Sequence, residues 1–102
     1  MSDAAYKIAA KCIMNKYLLE FVGTAIFIYV ILATGNALAI GATLALLILL
    51  GMSLGGSGHY NPAVTIMMAS AKKIPLADLV PYVILQIFGG LCALEIYKRV
   101  KP

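Results

Sequence analysis

Gly58-His59-Tyr60-Asn61-Pro62-Ala63-Val64-Thr65, near the middle of the chain, gathers its most distinctive side chains. His59 is the sole histidine. No carboxylate pair at catalytic spacing and no nucleophile with a base accompanies it, so acid–base or covalent catalysis has no residues to carry it. The expectation is a protein that is not an enzyme, with no cofactor and no metal. The two cysteines lie far apart without metal-ligand spacing; Cys92 reads as an apolar filler and Cys12 as a reduced thiol. What the segment does offer is hydrogen bonding. Asn61-Pro62 is an N-cap residue followed by proline at the first helical position. An asparagine cap uses its side-chain oxygen and leaves the NH2 group free as a donor. Gly55-Gly56-Ser57-Gly58 precedes it, a run that no helix holds in its interior. The loop from Gly56 to Tyr60 must therefore leave carbonyls free. Acceptors leading to an amide donor make a path for a small hydrogen-bonding molecule. The plain alternative is a hairpin that only packs.

The surroundings are apolar. The 102 residues are 63% hydrophobic, with a mean hydropathy of +0.97. No Asp, Glu, Lys or Arg occurs from Phe21 to Ala71, a run of 51 residues. A soluble domain of this size buries too little surface to hide such a run, so an integral, multi-pass membrane protein is expected. The net charge of +4 comes from Lys7, Lys11 and Lys16 before the run, Lys72 and Lys73 after it, and Lys98, Arg99 and Lys101 at the end. Flanking a membrane run, these lysines mark membrane borders and anionic lipid headgroups rather than a nucleic-acid surface. The start imitates a signal peptide, with Ala37-Leu38-Ala39 as a cleavage-like site. Cleavage is not expected, because the apolar stretch is too long and further membrane segments follow.

One span needs about 20 residues, and 51 would extend about 77 Å as helix, roughly two and a half bilayer cores. The pattern therefore divides into two full spans and a half-span. The first span is expected from about Tyr17 to Gly35, with turn chemistry at Thr34-Gly35-Asn36, and the second from about Ala37 to Leu54. A half-helix from Pro62 to Ala71 is about 15 Å long and ends at Lys72-Lys73, at the water interface. Its Asn61 end then lies at the midplane, where a helix N-terminus carries about half a positive charge. The last span is expected from Pro75 to Tyr97, with Asp78 at the positive end of its dipole and Pro81 bending its start. Residues 3 to 16 read as a short surface helix. Tyr17, Tyr82 and Tyr97 fall where interfacial belt residues belong. Gly51-xxx-Gly55, and more weakly Gly89-Gly90 with Ala93, read as close helix packing. No internal repeat is visible.

At these residues a resemblance enters. Gly58 to Thr65 resembles the first signature of the aquaporin (major intrinsic protein) family. Glu20-Phe21-Val22-Gly23-Thr24 resembles its first-helix motif, Ala37-Leu38-Ala39-Ile40-Gly41 the start of its second helix, and Tyr82, Gln86 and Gly89 its third. The resemblance runs from about residue 17 to residue 97. It implies an all-α membrane protein with three transmembrane helices plus one re-entrant half-helix. Residues 1–16 would form an N-terminal interfacial segment and residues 17–102 a half-aquaporin-like membrane domain. It also implies roles. Asn61, in the Asn61-Pro62-Ala63 box, is the pore donor, and Gly58 and His59 offer backbone carbonyls. Glu20 braces the loop near His59. Phe27, Leu44 and Val64 line the pore wall, although helix packing explains any one of them equally well.

The departures from the family pattern shape the functional expectation. Family members carry two inverted halves and two Asn-Pro-Ala boxes, whereas this sequence holds one and ends after the third span. The arginine that follows the family's second box has no counterpart, since Val64 follows Ala63. The filter position falls on Ile40, or on Gly41 without one extra residue in the Gly-rich loop; neither is aromatic. These features imply a channel for water or small neutral solutes such as glycerol. Its pore would be built by antiparallel pairing of the chain with itself, with higher oligomers open. Five Lys/Arg on one side against three on the other give a weak orientation bias, so both orientations are expected. The rivals are a different partner half and a non-conducting subunit that assembles with a full-length or complementary channel.

Overall fold

The structure is a computed structural model that describes residues 2–100; the side chains of residues 12–14 lie outside that description. The expectation for Cys12 and the border role of Lys101 therefore fall outside the described residues. Four α-helices follow one another: α1 (Asp3–Thr34), α2 (Ala37–Ser53), α3 (Pro62–Ser70) and α4 (Leu79–Val100), with a 3-10 turn (Leu76–Asp78) leading into α4. No strand occurs among the described residues.

Local chemistry explains the breaks. Ser2 caps α1 by accepting from the Ala5 N–H. Gly35 closes α1 in the left-handed region at φ 55, returning its N–H to the Ile31 carbonyl, where a side chain would be strained. One residue later, Asn36 caps α2 through the Ala39 N–H at 2.9 Å. At the end of α2, Gly55 takes φ 91. It therefore lies beyond the helix and takes no part in a Gly51-xxx-Gly55 packing face.

The helix expected over residues 3 to 16 is not separate. It is continuous with the first apolar segment in α1, whose 32 residues extend about 48 Å. No glycine or proline between Lys11 and Tyr17 interrupts it, and the helix runs on through Asn15. At the other end of the chain, Pro81 falls in the first turn of α4, where its missing N–H breaks no intrahelical bond. Asp78 is not inside the helix. It is buried in the 3-10 turn, where Lys16 Nζ pairs with it at 2.9 Å and the Tyr17 hydroxyl donates to it at 3.0 Å. This clamp ties the start of α4 to α1.

The distribution of side chains is the reverse of a soluble core. Among the described large hydrophobics only Tyr60 and Tyr82 are buried, whereas Glu20, Thr24, His59, Thr65, Asp78 and Gln86 are all inside. Leu38, Leu46, Leu49, Leu50, Ile87 and Phe88 face outward. A hydrocarbon solvent selects this arrangement, because apolar side chains need no shelter there while polar groups need partners. α1 and the Leu76–Val100 segment are each long and apolar enough to cross a membrane, with mean hydropathy 1.9; α2 is apolar but shorter. Cys92 is exposed on α4 rather than filling the interior.

α1 packs chiefly on α4 and also on α2, and α3 packs on α4. Gly89 permits the α1–α4 approach: a Cβ there would run into the Phe21 carbonyl and the Thr24 side chain. Gly89→Val is expected to cost at least about 1–3 kcal/mol through overpacking. It should lower the unfolding midpoint in mild detergent, and an unchanged midpoint would refute the close crossing.

Candidate pore site

Tyr82, Gln86, Gly89 and Ala93 recur at four-, three- and four-residue steps and are the buried residues of α4. They form one stripe, facing α1 and α3. Glu20, Gly23, Thr24 and Phe27 form a matching stripe on α1. The loop from Gly56 to Tyr60 is bonded to both stripes, to Glu20 on α1 and to Tyr82 on α4.

The Glu20 carboxylate is fully buried. It accepts the His59 N–H at 3.2 Å on Oε2, and the Tyr60 N–H at 2.9 Å and Gln86 Nε2 at 2.8 Å on Oε1. Three donors converge on one anion, which is how a carboxylate is held away from water. Gln86 Nε2 also donates to Thr65 Oγ1 at 2.8 Å. That hydroxyl lies 2.9 Å from His59 Nδ1. Thr65 thus joins the His59 ring to Gln86 through one hydroxyl. Ser57 Oγ and the Tyr82 hydroxyl share a hydrogen bond of 2.9 Å. Tyr82 also meets His59 and Tyr17 edge to face, each at 5.6 Å between ring centres. Tyr82 is thus wholly buried and is not an interfacial belt residue: it supports the loop from below.

Tyr60 adopts φ 55, a left-handed conformation uncommon outside glycine. Such a residue costs of order 1–3 kcal/mol and persists only where its surroundings hold it. Here Glu20 holds the backbone N–H, and the phenol donates to the Leu47 carbonyl of α2 at 2.6 Å.

Asn61 caps α3. Its Oδ1 accepts the Ala63 N–H at 2.9 Å, Pro62 takes the first helical position, and the side chain is exposed. Its NH2 group makes no hydrogen bond among the described residues, and neither do the carbonyls of Gly56, Ser57, Gly58, His59 and Tyr60. The last unengaged acceptor is therefore next in sequence to an unengaged donor, at the positive end of α3.

A cavity of about 410 Å³ opens beside this end, between α1 and α4. Phe27, Asn61 and Pro62 line it together with Thr24 and Gln86. Thr24 Oγ1 and Gln86 Oε1 are buried without partners. Ile40, Leu44, Ala63 and Val64 do not line this cavity. Ile40 and Leu44 are half-buried on the α2 stripe that continues to Leu47, Ile48 and Gly51, whereas Gly41 is exposed. Val64 is half-buried and Ala63 exposed on α3; Gly58 and His59 are buried. Sequence reasoning assigned no site role to the side chains of Tyr60, Thr65, Tyr82 or Gln86. The signal for three of them was present: two polar residues on the Tyr82–Gln86–Gly89–Ala93 stripe of an apolar helix, and a threonine inside the box motif.

The chain is 41% identical over 88 residues to "Glycerol uptake facilitator protein-like 6" of Lactiplantibacillus plantarum, covering 78% of this chain and 41% of that protein. It is 38% identical over 64 residues to "Aquaporin Z" of Brucella melitensis, covering 61% and 27%. To "Aquaporin-8" of Mus musculus it is 36% identical over 96 residues, covering 83% and 36%. The chain thus spans less than half the length of these relatives. No solved structure gives a significant match. The model of the major intrinsic protein family matches residues 7–102, nearly the whole sequence, and the chain belongs to that family.

Proposed function

We propose that this chain is one half of a transmembrane channel for water and small neutral solutes, completed by a second, inverted half. In this reading α1, α2 and α4 cross the membrane, and α3 is re-entrant. At nine residues α3 spans about 14 Å, half a bilayer core. The observation that carries the reading is the row of unengaged carbonyls ending at the unengaged Asn61 NH2. Water or a polyol moving along the row is handed from acceptor to acceptor and then meets a donor.

One half-helix reaches only the midplane, so a second must cover the other leaflet. An inverted copy of this chain supplies it, with its own Asn61 opposite the first. Water between two Asn61 amides turns its oxygen toward both. That orientation interrupts a proton-conducting chain, and the two positive helix ends repel cations. In this reading Ile40, or Gly41, and Val64 take the filter positions, without a ring or a guanidinium. The wider, less polar mouth admits a carbon backbone as well as water.

Stopped-flow light scattering on proteoliposomes tests this directly. Both osmotic water flux and glycerol flux are expected, with no ion conductance. Water without glycerol refutes the filter inference, and ion current refutes the exclusion mechanism. Absence of all flux from folded protein would favour a non-conducting subunit. The inverted homodimer also requires both orientations in one membrane. Accessibility tags at the C-terminus should report from both sides, and a single orientation excludes self-pairing.

A further inference from the structure

We infer that Tyr60 is the tether that sets the width of the pore, by keying α2 to the loop that carries Asn61. This rests on the channel reading above. Among the described residues, α2 packs substantially on α1 alone, with no comparable packing on α3 or α4. Its distance from the Asn61 end therefore depends on what joins it to the loop.

Tyr60 makes the long-range side-chain bond in that join. It is 3% exposed, and its hydroxyl reaches the Leu47 carbonyl at 2.6 Å. That carbonyl already belongs to the α2 ladder, so the phenol adds a bond instead of replacing one. The slot for the ring is cut by two glycines. A Cβ at Gly23 would run into the ring, and a Cβ at Gly51 into the hydroxyl. The ring thus stands between α1 and α2, with its backbone N–H held by Glu20 at 2.9 Å. The other loop contacts with α2 are short-range: the Gly56 N–H returns to Gly51, and Gly58 lies against Ile48.

The consequence for permeation follows from helix periodicity. Leu47 and Gly51 share one stripe of α2 with Ile40 and Leu44. Fixing Leu47 against Tyr60 therefore fixes the stripe that bears Ile40 and Leu44 relative to Asn61, the next residue after Tyr60. Loss of the hydroxyl releases α2 outward, which favours the bulkier solute.

Tyr60→Phe removes the hydroxyl and keeps the ring, so the protein folds. Two readouts are taken on the full chain with Cys12 and Cys92 replaced by serine. One is the spin-label distance between cysteines placed at the exposed positions Leu46 on α2 and Ile66 on α3, diluted with unlabelled protein. The other is the ratio of glycerol to water permeability in proteoliposomes. Tyr60→Phe is expected to lengthen and broaden the distance distribution and to raise the ratio several-fold. Gly51→Ala, which puts a methyl where the hydroxyl sits, is expected to shift both in the same direction. An unchanged distance distribution in Tyr60→Phe overturns the inference, as does a changed distribution with an unchanged ratio. If the unsubstituted protein carries no flux, the channel reading fails instead, and the distance measurement still decides whether Tyr60 holds α2.

Discussion

Asn61→Asp is expected to leave the chain folded and to abolish most of its water flux. The fold survives because aspartate retains the oxygen that accepts the Ala63 N–H, and a carboxylate suits the positive end of α3. Flux falls because the NH2 group is the only part of the side chain that no bond within the described residues engages, and aspartate lacks it. In an inverted homodimer two carboxylates then face each other at the midplane. Like charges in that place are costly, so at least one holds a proton. Water there meets a carboxyl pair instead of two amide donors. A neutral hydrogen bond is worth about 0.5–1.5 kcal/mol, and the homodimer loses two at one place, so passage slows roughly tenfold. Proteoliposome shrinkage rates, normalised to incorporated protein, measure this. Equal rates for the two proteins would remove Asn61 from the pore.

Glu20→Leu acts on the fold itself. The substitution leaves the buried His59 N–H, Tyr60 N–H and one Gln86 N–H without their acceptor. Each unsatisfied buried donor costs about 1–3 kcal/mol, which together approach the whole stability of an ordinary domain. The apolar leucine recovers only part of this. Loss of the folded species is expected, read as aggregation in mild detergent or a collapse of the unfolding midpoint. Glu20→Gln falls between. It keeps one acceptor oxygen but sets an NH2 group against donors. An unfolding midpoint equal to that of the unsubstituted protein would show that the loop stands without its carboxylate.

The two substitutions separate what the site does from what holds it. Asn61 is exposed at the end of α3, and its side chain contributes to the fold through one cap bond. Glu20 touches no permeant in this reading, yet it joins the loop to α4 through Gln86. Rigid loops that line a path are built this way, with the functional atoms left free and the backbone N–H groups beside them bonded.

The sequence by itself determined the features that depend on near neighbours. A 51-residue run without charge determined an apolar exterior. Gly35 and Asn36 determined the break between α1 and α2, and Asn61-Pro62 determined where α3 begins. Each depends on groups within about four residues, the reach of a helical cap or turn. Tertiary structure decided the rest. It placed Tyr82 beneath His59 rather than at a membrane border, set Asp78 against Lys16, and made Gly51 the socket for Tyr60 rather than a contact for another helix. The Glu20 bonds span 39, 40 and 66 residues of sequence, a range over which no periodicity or propensity carries information. In a hydrocarbon solvent, moreover, hydrophobic pattern loses its power to mark the inside, because apolar side chains are equally at home on either face. Which face turns inward is then decided by where buried polar groups find partners, and those partners meet only when the chain has folded.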